Sequence, residues 1–432
     1  MGNISNMLKT TAMTSIAAMA LTSCTSSKRI QKGENDMTSG NIINNSDFDD
    51  SYLIMSDSQR MTVNRGNEFA LNLFRTQAGM DSKVVSPLSA AYLMGMLANG
   101  AEGNTYSEIM KTLGMEGIPV NTLNEAYKAI INTASRLDRQ TSINIANCIA
   151  VNKRTELKTS YKNTVTEMYD ADVESLDFAS ANALKAINGW CSKQTNGMIP
   201  KIVDQLDANA LAVLMNAIYF NGKWEHKFDK SNTKLEAFRG YTRDIKRVQM
   251  MHQNAKLYYT DNDMLSAVNL PYGNGAYSMT VILPKEGKST EEVAQSLTAE
   301  AFEKLNRDME QCETDLKLPR FSISTETQLN KPISELGAPL IFQSGKADFS
   351  KMSDTPMFIS AMIQKAKIEV SEEGTKAAAV TAGIMTMAAL PDREPRHVVF
   401  HADHPFIYVI TERNTGAIFF IGQYTGTQDD NM

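Results

Sequence analysis

The sequence predicts an α+β fold over most of its 432 residues. Three observations carry this. Helical periodicity dominates the first half, short apolar runs flanked by turn residues dominate the second, and from about Ser58 onward no repeat or long Pro/Gly-rich linker splits the chain.

Residues 67–74 place apolar side chains at amphipathic-helix spacing. Ser86-Pro87 offers an N-cap followed by proline at the first helical position, and the helix it opens runs to a C-terminal stop at Asn99-Gly100. Residues 123–137 and 181–194 predict two more helices, the second ending at Thr195-Asn196-Gly197. Residues 211–220 are almost continuously apolar and bounded by Asn221-Gly222, as expected of a central strand buried on both faces. Two hairpins follow: 266–270 and 277–283 flank Tyr272-Gly273-Asn274-Gly275, and 406–411 and 417–421 flank residues 412–416.

A hydrophobic share of 42% and a charged share of 21% suit one large folded body. The formal net charge of −6, without a long Lys/Arg block, argues against nucleic acid as a partner. Cys24, Cys148, Cys191 and Cys312 form no C-x-x-C pair, and the last three are expected as reduced, partly buried thiols. His397, His401 and His404 are the only cluster with the look of metal ligands. They would share a face only on a helix, and Val398-Val399-Phe400 with Pro405 favours an extended segment, so no metal and no cofactor is expected. G-x-S-x-G, P-loop and H-E-x-x-H motifs are missing, which leaves a hydrolase reading without a basis.

The amino terminus reads as an export signal: a short basic region, an uncharged apolar stretch over residues 10–21, then Leu21-Thr22-Ser23-Cys24. That last stretch resembles the lipobox of bacterial lipoproteins, which implies a signal peptide at 1–23, a lipidated Cys24, and a protein exported and anchored to a bacterial membrane, periplasmic or at the cell surface. Residues 25 to about 50 are polar and poor in large apolar side chains, hence a flexible tether at 24–57 ahead of a domain at 58–432.

The domain resembles the serpin family. Ser86-Pro87-Leu88-Ser89, Asn188-Gly189-Trp190 with Thr195-Asn196-Gly197, the run from Asn216 through Asn221-Gly222-Lys223-Trp224, Leu270-Pro271-Tyr272 and Asp403-His404-Pro405-Phe406 occur in family order. The resemblance implies three β-sheets, eight to nine helices, and an exposed reactive loop at about 372–396 that can enter the main sheet as an extra strand. It implies no catalytic residue. The expected function is suicide inhibition of serine or cysteine proteases by a monomer whose partner is the protease it traps as an acyl-enzyme; a non-inhibitory binding or carrier role is the alternative.

Glu372-Glu373-Gly374-Thr375-Lys376-Ala377-Ala378-Ala379 matches the family hinge. In an inserting strand every second side chain is buried, and from Thr375 that set is Ala377, Ala379, Thr381, Gly383, Met385 and Met387, none of them charged. A buried charge there would cost several kcal/mol. Family spacing puts the reactive bond between Ala388 and Ala389, with Met387-Ala388 or Ala389-Leu390 as alternatives, and suggests an elastase-like or subtilisin-like target. Ser86, Ser89 and Asn216 match the shutter that lets the sheet open, where Gln364 stands in place of the usual histidine. Trp224 matches the breach where insertion begins, and Glu372 is expected to pair with Arg320.

Overall fold

The computed structural model describes residues 53–242, 244–375 and 396–427. Helix α1 (Asp57–Gln77) opens on a capping box between Ser56 and Gln59, with Asp57 favourably placed in its first turn. Leu53 and Met55 are buried ahead of it, so the folded body begins before the boundary expected near residue 58. Strand β1 (Lys83–Val85) leads to α2 (Pro87–Gly100), capped by Ser86 as the sequence predicts and buried nearly all round, as suits a central helix. Next come α3 (Gly103–Thr112) and α4 (Val120–Ala134); the latter starts and stops three residues earlier than the predicted 123–137.

Strand β2 (Thr141–Asn152), α5 (Thr159–Tyr169) and β3 (Ala171–Leu176) then interrupt the expected helical half. Helix α6 (Ala181–Gln194) and β4 (Ala212–Lys223) follow, then β5 (Lys234–Arg239), β6 (Ile245–Asp261), β7 (Leu265–Tyr272) and β8 (Tyr277–Pro284). Short helices α7 (Thr290–Ser296) and α8 (Ala299–Arg307) precede β9 (Glu310–Pro319), β10 (Phe321–Gln328) and α9 (Asn330–Glu335). Strands β11 (Ala361–Ser371) and β12 (Gly374–Thr375) lie before the loop residues, and β13 (His397–His401), β14 (Phe406–Glu412) and β15 (Ile418–Tyr424) after them. "Helices early, strands late" is therefore too simple.

The main sheet runs β10-β11-β12-β4-β2-β3. The other strands run β1-β15-β14-β8-β7-β6-β9-β13, with β5 also on β6. The 17 residues of β6 serve two groups: its beginning pairs with β5, its length with β9 and its end with β7. The three sheets implied by the resemblance are thus the main sheet and two strand groups that share β6.

β4 explains its own continuous apolar run. Leu214, Ile218 and Phe220 join the large core with α2 and the second sheet system, while Val213, Met215 and Ala217 pack against Ile187 and Cys191 of α6. Both faces are covered, so polar alternation disappears. Cys148, Cys191 and Cys312 are free and buried. Burial pushes the Cys191 thiol up to about 12 and raises that of Cys148 still further, which makes both inert at neutral pH.

Candidate functional site

The hinge occupies the top of a seam in the main sheet. Below it, β11 and β4 pair directly and in parallel from Ala361↔Val213 to Lys367↔Tyr219. Above it, the two residues of β12 lie between them: Thr375 is opposite Val370 and Gly222, and Gly374 opposite Ser371 and Lys223. The seam is closed below and wedged open at one end.

Gly374 is required where it stands. Its φ of +132° suits glycine, and a Cβ there would lie 2.2 Å from the Gly222 carbonyl oxygen and 2.7 Å from the Trp224 nitrogen. Thr375 is fully buried, its hydroxyl 2.9 Å from that of Tyr272. The Tyr272 ring stacks on Trp224 at 4.4 Å, and Trp224 Nε1–H donates to the Ser371 carbonyl at 2.9 Å. Burial raises the Tyr272 phenol far above its usual value, so it stays a neutral hydrogen-bonding group.

The two hinge glutamates are anchored differently. Glu372 is buried; its carbonyl accepts from the Phe228 N–H, and its Oε1 accepts from the Thr233 hydroxyl at 2.8 Å. The expected partner Arg320 does approach it, but at 3.8 Å, longer than a hydrogen bond. Glu373 is held by Lys227 at 2.9 Å and by Lys230 at 3.3 Å, and these contacts hold its carboxyl below the usual range.

Further down the seam a buried polar row crosses four strands at one level. Thr327 on β10 is opposite Gln364 on β11, which is opposite Asn216 on β4, which is opposite Asn147 on β2. Gln364 accepts the Ser86 N–H at 2.9 Å and donates to the Ser86 carbonyl at 2.7 Å, clasping one residue at the start of α2 through both groups. Ser86 Oγ in turn reaches Ser89, whose N–H it caps. Asn216 Nδ2 donates to Asn147 Oδ1, and Asn147 Nδ2 to the Tyr169 carbonyl, both at 2.9 Å. Asn216 Oδ1 is buried with no partner among the described residues.

The structure therefore brings Glu372, Gly374, Thr375, Trp224 and Arg320 together at one end of the seam and Ser86, Ser89, Asn216 and Gln364 midway along it. Ala377, Ala378, Ala379, Met387, Ala388, Ala389, Leu390 and Cys24 lie outside the described residues. Tyr272, Thr233 and Asn147 were missed as site residues. Asn147 carried a signal, an amide inside an apolar strand like Asn216, whereas nothing in sequence places Thr233 beside Glu372. The histidines do not cluster as a trio: His397 and His401 lie along β13, and His404 contacts Asp403. Among the described residues no group of three or more His, Cys, Asp and Glu is placed to hold a metal ion.

Comparison with known proteins agrees with this geometry. The family model described as serpin (serine protease inhibitor) matches residues 64–426. Leukocyte elastase inhibitor A of Rattus norvegicus is 34% identical over 372 residues, covering 82% of this chain and 96% of that protein. The thermophilic serpin tengpin in its native state superposes with a TM-score of 0.78 at 27% identity, covering 87% of this chain and 95% of that one. Thyroxine-binding globulin in complex with thyroxine superposes at 0.76 with 27% identity, covering 86% and 100%. The chain belongs to the serpin family of protease inhibitors and is not itself an enzyme.

Proposed function

We propose that this serpin is a suicide inhibitor of serine or cysteine endopeptidases of elastase-like or subtilisin-like preference, trapping the acyl-enzyme when its cut loop enters the seam between β11 and β4. One observation carries the reading: β12 already pairs with both strands in a single register. Continued one for one, both ladders put Ala377 opposite Phe220, Ala379 opposite Ile218, and Thr381 between Asn216 and Gln364. Phe220 and Ile218 face the large core, so the small uncharged set expected from sequence is the set that would be buried. Insertion gives up one parallel ladder of seven register pairs and gains two antiparallel ones, each hydrogen bond contributing about 0.5–1.5 kcal/mol net. The freed loop would carry the acylated protease with it, distorting an oxyanion hole in which one donor is worth about 10²–10³ in rate.

Cleavage between Ala388 and Ala389, a monomeric state, and export with a lipid on Cys24 complete the proposal. The deciding experiment incubates the protein with pancreatic elastase and subtilisin, followed by denaturing electrophoresis. An SDS-resistant adduct, lost on Thr375→Arg in favour of cleaved serpin, is expected. Cleavage without adduct by either protease, or full inhibition by the variant, rejects inhibition by insertion and favours a binding-protein role. Labelled fatty acid retained by Cys24→Ser would reject the anchor.

A further inference from the structure

Beyond the hinge, three titratable groups meet where β13, the first strand after the loop, lies beside β9 and β6. His252 on β6 and His401 on β13 are both register partners of Lys317 on β9, from opposite sides. Asp315 stands two residues from Lys317 and so shares its face. Its carboxylate is bracketed, with Oδ1 2.7 Å from His252 Nε2 and Oδ2 3.2 Å from His401 Nε2.

The two contacts differ in kind. His252 makes a hydrogen bond, whereas His401 Nε2 is buried close to the carboxylate without hydrogen-bond alignment. A neutral His401 ring gains little there; an imidazolium gains Coulomb attraction that does not depend on alignment. Burial disfavours the Asp315 anion, yet its contacts with His252 and then His401 outweigh that and hold the carboxyl below its ordinary value. The neighbouring charges are otherwise engaged. Lys317 lies 2.7 Å from Glu236 on β5, Lys256 on β6 pairs with Glu313 on β9, and Asn254 opposite Asp315 is neutral; His397 heads β13 two turns of the pleat away from His401.

The position gives this cluster a consequence. Among the described residues β13 is an edge strand held by one parallel ladder of five residues, and it begins where the loop ends. Once the loop is cut, only non-covalent contacts keep that end of the C-terminal fragment on the body.

We propose that His252, Asp315 and His401 form a proton-tightened staple that clamps β13, and with it the C-terminal foot of the loop, in mildly acidic solution. The contribution exists while a charged carboxylate faces protonated imidazole: it weakens as rising pH removes the imidazole protons, and at the acid end it is lost only when Asp315, held below its ordinary value, takes up a proton. With each group about one-third exposed, the effect stays under about 1 kcal/mol, a factor of about five.

The test measures amide hydrogen exchange of β13 in the intact protein, corrected for intrinsic rates, at pH 5.5 and 8.0. Asp315→Asn keeps the shape and removes the charge. Wild-type protection is expected to exceed the variant's by about three- to fivefold at pH 5.5 and by less than about 1.5-fold at pH 8.0. His401→Gln should abolish the same pH dependence, which keeps the idea testable if Asp315→Asn folds poorly. A ratio equal at the two pH values, or larger at pH 8.0, overturns the staple. Because the readout is strand attachment, the result is independent of whether the protein inhibits a protease.

Discussion

Gln364→Leu should be among the most damaging single substitutions in the sheet, and its cost follows from what Gln364 leaves behind. The Ser86 N–H has Gln364 Oε1 as its hydrogen-bond acceptor at 2.9 Å and is fully buried, so its loss strands a donor at about 1–3 kcal/mol. The Ser86 carbonyl keeps the Ala90 N–H at 3.1 Å, so losing Gln364 Nε2 removes one of two bonds, about 0.5–1.5 kcal/mol. The sum, about 1.5–4.5 kcal/mol, is a large part of an ordinary domain's stability of about 5–15 kcal/mol. Asn216→Leu is the control. It strands Asn147 Oδ1 but removes the already unpaired Asn216 Oδ1, two buried acceptors of similar cost, so the net change should stay within about 1 kcal/mol. Urea unfolding of the uncleaved proteins compares them. A Gln364→Leu loss below about 0.5 kcal/mol, or an Asn216→Leu loss exceeding it, would refute the clasp as the dominant polar tie at this level.

Two further outcomes are expected. Gly374→Ala should force β12 out of the seam, because the added Cβ meets backbone atoms of Gly222 and Trp224 at 2.2 and 2.7 Å, at a cost of about 2–5 kcal/mol; unchanged Trp224 fluorescence and thermal midpoint would contradict this. Asp403 is held down to about 2, chiefly by its hydrogen bond from His404 against the opposing effect of burial. Its contribution is therefore present above about pH 3.9 and lost as pH falls toward about 2, so the deficit of Asp403→Asn in thermal unfolding should close over that range rather than widen.

What could be read from sequence were the elements with local signatures. Ser86-Pro87 fixed the start of α2, and α6 was bounded by its own terminal residues because Thr195-Asn196-Gly197 can only turn there, with Asn196 and Gly197 both at positive φ. β2 was not foreseen, since its Asn144 and Asn147 break both the apolar run and the alternation, and their reason for being there is tertiary: Asn147 serves Asn216 and the Tyr169 carbonyl. The site divides the same way. The small inward residues of the hinge are visible in one dimension, whereas the Glu372 anchor on Thr233, 139 positions away, and the Tyr272 hydroxyl against Thr375, 103 away, exist only once the sheets are assembled.

Those long-range partners also bear on how the seam could open. At the level of the polar row, Gln364 is tied to Ser86 on the helix side and Asn216 to Asn147 on the strand side, and the two amides share no hydrogen bond with each other. Each flank of the seam therefore keeps its side-chain partners as it moves, and parting costs the backbone ladder alone at this level. A network bonded across the seam would have to break before a strand could enter, and buried polar groups would be left unpaired at the barrier. Here Asn216 Oδ1, like the Thr327 hydroxyl of the same row, is buried without a partner among the described residues before any opening, and it lies where the projected strand would bring the hydroxyl of Thr381. The polar row thus has no side-chain hydrogen bond across the seam to break on opening, and under the proposed insertion a Thr381 hydroxyl paired with Asn216 Oδ1 would favour the inserted strand over re-closing of the empty sheet.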